Sequence, residues 1–300
     1  MNFLEKNGNG LLWVAAGACL WGTDTIFRRP LTGKLDSITI VLFEHLIASV
    51  FLLPRLWSHR AEWLRLRAPE WGALIAIAWG GSALATILFT EAVRTGNPST
   101  AVLLQKTQPI IAALLAGVFL SEPLTGGFWG RLAGAIAGAY LISFGAHLPV
   151  RAAAAPALFG LSAAGLWAAS TVLGRYVLRR VSPLTLTALR FAAALPILAA
   201  AWFGSPQPHS HIGARQLLWL AVLALIPGLC ALIVYYRGLF RSLASRAAVA
   251  ELCFPATAVL LNRLFFDTRI SVLQTLGFLL LGAAILSWRT AKTPSAAAAA

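Results

Sequence analysis

Long apolar stretches broken by short polar ones run the length of this chain, and each apolar stretch is close to the roughly 20 residues a helix needs to cross a bilayer. Ten qualify: about 10–28, 37–57, 71–93, 98–119, 127–146, 156–178, 183–203, 216–240, 246–266 and 270–289. The breaks carry turn and cap chemistry. Asn97-Pro98-Ser99 and Ser182-Pro183 each put an N-cap residue before a proline at a helix's first position. The breaks are short, so consecutive helices must run antiparallel. The pattern therefore predicts an all-α integral membrane protein of ten transmembrane helices.

A shift of 146 positions superimposes the two halves. Trp21 falls on Trp167, Arg29 on Arg175, Pro109 on Pro255 and Phe119 on Phe265. Polar positions coincide as well: Glu44 with Arg190, Glu91 with Arg237, Gln105 with Glu251. Five helices per half is an odd number, so the halves must lie upside-down to one another. Inverted repeats of this kind place a site near the midplane, at the interface between repeats. The expected organisation is a first repeat over 1–146, a linker over 147–155, a second repeat over 156–289 and a low-complexity tail over 290–300.

Composition agrees with the pattern. The 300 residues are 59% hydrophobic and 11% charged, whereas soluble domains carry about 25% charged residues. The net charge of +14 is spread mainly between the apolar runs and is not gathered on one surface, which argues against a nucleic-acid partner. With the N-terminus in the cytoplasm, fourteen basic residues fall in inner loops and tails and eight in outer loops. That bias favours both termini inside a bacterial inner membrane, although Arg28, Arg29 and Lys34, counted as outer, pull the other way. Cys19, Cys230 and Cys253 lie inside apolar runs without metal-ligand spacing, so neither a disulfide framework nor a metal site is expected. No cofactor is implied. No cleavable signal peptide is expected.

Two segments, PSTAVLLQKTQPIIAALLAGVFLSEPLT and SRAAVAELCFPATAVLLNRLFFDTRIS, share a small-residue run, a proline, an apolar stretch and a closing acidic residue. Together with LTLTALRFAAALPIL they resemble the drug/metabolite transporter superfamily, EamA type, across nearly the whole chain. The resemblance implies a ten-helix fold, cytoplasmic termini and alternating access for small metabolites, often amino-acid export. Where that family often carries arginine in its second helix, this chain has Glu44-His45.

A charge near the bilayer centre costs at least a few kcal/mol, so each needs a partner, a wet cavity or a function. Depth along the helices pairs Glu44 with Lys106, and Arg190 with Glu251. These pairs either only neutralise each other, or at least one of Lys106 and Glu251 also faces substrate or a coupling proton. Pro109 and Pro255 each free the carbonyl four residues back, which belongs to Gln105 and to Glu251. A broken helix at both sites would line the cavity. Trp21, Trp167, Tyr235 and Tyr236 are candidate walls, or packing residues. Trp13, Trp57, Trp71 and Trp288 read as interfacial belt. His45, beside Glu44, titrates near neutrality when unperturbed. Gly130, Gly134 and Gly138 form a stripe for close helix packing, inside the chain or in a homodimer. The expected partners are thus the bilayer and a small-molecule substrate, with no role for His209 or His211.

The function expected is export of a small polar or zwitterionic metabolite, amino acids first. The alternative substrates are organic anions, phosphorylated sugars or nucleotide-type metabolites. A membrane-embedded enzyme would want a convergent acid–base or metal constellation, and none stands out in the sequence. A scaffold would have no use for buried charges at equivalent depths.

Overall fold

The structure is a computed structural model, and it describes residues 9–95, 103–145, 154–205, 211–266 and 269–290. The Asn97-Pro98 cap, the linker's first residues, His209 and the C-terminal tail lie outside the described residues. Among the described residues every regular element is a helix, and there is no strand. In chain order they form α1 (Gly10–Trp21), α2 (Asp24–Thr32), α3 (Ser37–Ser58), the single turn α4 (Arg60–Trp63), α5 (Ala68–Thr95), α6 (Leu103–Leu120) and α7 (Gly126–Phe144). The second half holds α8 (Ala154–Val177), α9 (Pro183–Phe203) and α10 (Ala214–Leu239). Next, α11 runs from Ala244–Ala250 through Glu251–Cys253 into Phe254–Phe266, and α12 is Val272–Thr290.

Among the described residues, eight spans are long and apolar enough to cross a bilayer, α1 and α2 counting together as one. The remaining two, glycine-rich α7 and α12, complete the five-helix halves. They cross at glycines: a Cβ on Gly138 would lie 2.8 Å from the Leu281 nitrogen and 2.9 Å from the Gly277 carbonyl. The predicted glycine stripe is thus used inside the chain at Gly138, while Gly130 meets open space.

Packing follows the repeat. The first helix of each half lies on the third helix of the other, α1 on α10 and α8 on α5. The equivalent pairs α3–α9, α6–α11 and α7–α12 meet across the pseudo-twofold. The α1–α10 crossing is close enough that a Cβ on Gly17 would fall 2.8 Å from the Tyr235 nitrogen. Caps fix the entries. Asp36 accepts from Thr39 N (2.8 Å), and the Ser182 hydroxyl accepts from Thr185 N (3.4 Å) ahead of Pro183. Two carboxylate contacts, one buried and one half-buried, tie the halves at helix N-termini, where the exposed amides favour negative charge. Glu122 accepts from Ala244 N (2.7 Å) and Ser245 N (2.8 Å), and Glu62 accepts from Ser182 N (2.7 Å).

The helices break at equivalent places. Residues 76–84 of α5 and 224–230 of α10 widen into π-helical turns, a feature often found at functional sites. Further breaks interrupt α6 at Lys106-Thr107 and α11 at Glu251–Cys253, just ahead of Pro109 and Pro255. Gly22-Thr23 separates α1 from α2. Three expectations need correction. Arg28 is no outer-loop residue: the chain stays helical to Thr32, and the residue is 5% exposed. Arg175, read as an inner-loop charge, is buried and donates to the Phe240 carbonyl (3.3 Å). Trp288 is no belt residue, because α12 turns it inward against Phe128, ring centroids 5.9 Å apart.

Candidate functional site

The breaks surround one cavity, of about 210 Å³ accessible to water, between the two halves. Of the residues predicted from sequence, Trp21, Glu44, His45, Gln105, Pro109, Trp167, Arg190, Tyr235 and Glu251 all line it. They arrive from six helices, α1, α3, α6, α8, α9 and α10, and from the break in α11. Each half contributes an indole from its first helix and a polar residue ahead of its proline, as the 146-residue shift requires.

Glu251 accepts three side-chain hydrogen bonds in the wall. Its Oε1 accepts from Tyr235 (2.7 Å) and Thr171 (3.1 Å), and its Oε2 from the Gln108 amide (2.5 Å). Trp21 stacks on Tyr235 with ring centroids 4.8 Å apart. Trp167 packs on Phe89 at 5.3 Å and donates its indole N–H to the Gly81 carbonyl (2.9 Å). That carbonyl belongs to the π turn of α5, so the irregular backbone supplies the indole's partner.

Arg190 lines the same cavity from α9. Its guanidinium donates to the Ser82 hydroxyl in the same π turn and to the Tyr236 hydroxyl (2.9 Å). Among the described residues no carboxylate lies within 4 Å of it. A cation held by neutral hydroxyls keeps its charge available to a substrate's acceptor.

Neither ion pair drawn from sequence forms. Glu44 pairs with Arg28 (3.1 Å), which also grips Asp24 by two bonds of 2.7 and 2.6 Å. Glu251 pairs with hydroxyls and an amide instead of Arg190. Lys106 does not line the cavity: the break in α6 carries it away, and its buried ammonium sits 5.0 Å from the centre of the Phe254 ring, with no hydrogen-bond partner among the described residues. Equal depth in two helices fixes height and leaves the direction around each axis open, which is why the depth argument mispaired them. Pro255 also stays out of the wall, though Phe254 before it is part of it. His45 is satisfied by the Val41 carbonyl (2.8 Å) and packs edge-on against Phe191.

Sequence reasoning missed Asp24, Arg28, Gln108 and Thr171. Asp24 and Arg28 carry a legible signal, since the i,i+4 spacing of opposite charges is that of a helix face and not of a loop. Gln108 and Thr171 are uncharged and carry no signal beyond their helical distance from cavity residues.

The family description "EamA-like transporter family" matches this chain twice, over residues 8–144 and 155–288. Among curated relatives, the riboflavin transporter ImpX of Fusobacterium nucleatum is 28% identical over 283 residues, covering 90% of this chain and 94% of that protein. The uncharacterized transporter YwfM of Bacillus subtilis is 24% identical over 297 residues, covering 96% and 97%. A solved crystal structure at 17% identity shares the fold with a TM-score of 0.77, over 93% of this chain and 96% of that one.

Proposed function

The chain belongs to the EamA-like transporter family, and from that premise we propose that it moves a small, flat, hydrogen-bonding metabolite of the riboflavin kind through the cavity between its halves. One observation carries the reading: Arg190 offers its charge from between neutral hydroxyls, in a cavity whose lining also includes Trp21 and Trp167. A planar heterocycle with carbonyl acceptors suits that arrangement, its faces against the indoles and its oxygens toward the guanidinium. The similarity to ImpX along 90% of the chain supports the same class. Alternating access follows from the inverted halves, whose equivalent breaks at Glu251 and at Lys106-Thr107 give each side a place to bend. We place the protein in the bacterial inner membrane with both termini cytoplasmic, on the basic-residue bias between its loops.

A zwitterionic amino acid is the second reading, favoured by Glu251 and Arg190 lining one cavity. It is the weaker, because three internal donors already occupy the Glu251 carboxylate that an ammonium would need.

Riboflavin titrated into purified protein should show saturable quenching of its own fluorescence. Arg190→Gln should weaken that binding at least tenfold, about 1.4 kcal/mol or more, while the protein stays monodisperse. Stabilisation by amino acids without flavin binding would shift the reading to the zwitterion. Binding of neither class would refute both.

A further inference from the structure

A second hollow, of about 250 Å³, lies away from the central cavity, between the end of the first span and the start of α10. Pro30, Lys34, Arg215, Gln216 and Trp219 line it. Lys34 follows α2 by two residues and Arg215 is the second residue of α10, so both cations stand at the same end of the bundle, where helices leave the hydrocarbon. Below them Trp219 packs against Phe27, with ring centroids 6.2 Å apart, which makes the floor apolar. No acidic side chain lines the hollow, and among the described residues neither cation has a carboxylate within 4 Å. Two unneutralised cations over an aromatic floor at the membrane–water boundary match an anionic phosphodiester with acyl chains beneath it.

We infer that this hollow binds the headgroup of an anionic phospholipid. The phosphodiester sits between the Lys34 ammonium and the Arg215 guanidinium. The Gln216 amide is placed for the headgroup's hydroxyls, and the acyl chains run down past Trp219 along α2 and α10. The lipid thereby bridges the first span of one half to the third span of the other, the α2–α10 contact, from outside the substrate path.

The test is the thermal unfolding midpoint of the full chain in micelles titrated with phosphatidylglycerol, with phosphatidylcholine or with inorganic phosphate. A ligand of the folded state raises the midpoint according to its concentration over its dissociation constant. Phosphatidylglycerol should bind about tenfold tighter than phosphatidylcholine, because two surface cations attract its net negative headgroup. Inorganic phosphate should have no comparable effect. The double variant Lys34→Gln with Arg215→Gln should lose the preference, and Lys34→Arg with Arg215→Lys should keep it. A preference that survives the glutamine variant, or is absent from the wild type, overturns the inference. Equal stabilisation by inorganic phosphate would make the hollow a site for the free anion and overturn it too.

Discussion

Glu251→Gln should leave a folded, monodisperse protein whose transport is at least tenfold slower than wild type. The geometry separates charge from shape at this position. Oε1 accepts two hydroxyl bonds and Oε2 one amide bond. A glutamine that keeps its oxygen at the Oε1 place still accepts from Tyr235 and Thr171. Its new NH₂ group then faces Gln108, whose amide needs only to flip to offer an oxygen. The hydrogen-bonded frame survives, and what is lost is the negative charge. Hydrogen bonds to charged groups contribute about 1.5–3 kcal/mol against about 0.5–1.5 for neutral ones. The variant's carboxamide therefore keeps the frame but is no acceptor for a coupling proton. Glu251→Ala is the contrasting change. It strands two hydroxyls and an amide in a buried place, at about 1–3 kcal/mol for each group left without a partner, and should lower stability as well as transport. Transport by Glu251→Gln at the wild-type rate would remove Glu251 from the mechanism. Misfolding of that variant would give the residue a packing role only.

Arg28 and Glu44 should show a clear energetic coupling. Both are buried, at 5% and 7% exposure, and Arg28 binds two carboxylates with one guanidinium. Removing one member of a buried pair leaves the other charge without compensation, a loss of about 3–5 kcal/mol. Arg28→Gln leaves Glu44 and Asp24 facing each other, and is the more damaging single change. Glu44→Gln leaves Arg28 its two bonds to Asp24, and is the milder. The double variant should lose less than the sum of the two, because the second change removes a charge the first had stranded. Additive losses in a double-mutant cycle of unfolding midpoints would show that the pair contributes nothing of its own. Glu44 and Lys106, paired on depth alone, should by contrast be additive.

Much of this architecture is legible in the sequence. Apolar length marks the spans, and the coincidence of Trp21 with Trp167 and of Gln105 with Glu251 under one shift marks residues that line the cavity between the halves. Residues at matching places in inverted halves converge by symmetry, so a repeat in the sequence carries three-dimensional information that a single helix does not. What escaped was direction around the helix axis and the path of the chain at breaks. Lys106 and Glu44 stand at equal depth, yet the turn at Lys106-Thr107 sends the ammonium over Phe254. Arg28-Arg29 looked like a loop because two adjacent arginines end an apolar run. The helix instead resumes after Gly22-Thr23 and buries Arg28 against Asp24 and Glu44. The π turns were invisible as well: no residue type marks Ala76–Leu84, and Pro227 in the equivalent turn reads as an ordinary kink.

The central claim is that the cavity between the inverted halves opens to each side of the membrane in turn. Thr86 lines that cavity and is half-buried, and the chain has three native cysteines, Cys19, Cys230 and Cys253. The direct measurement places Thr86→Cys in a background with those three changed to alanine. Vesicles of known orientation are then treated with a membrane-impermeant thiol reagent from one face or from the other. The account predicts labelling from both faces, at rates that bound substrate slows. Labelling from one face only, or from neither, would contradict it.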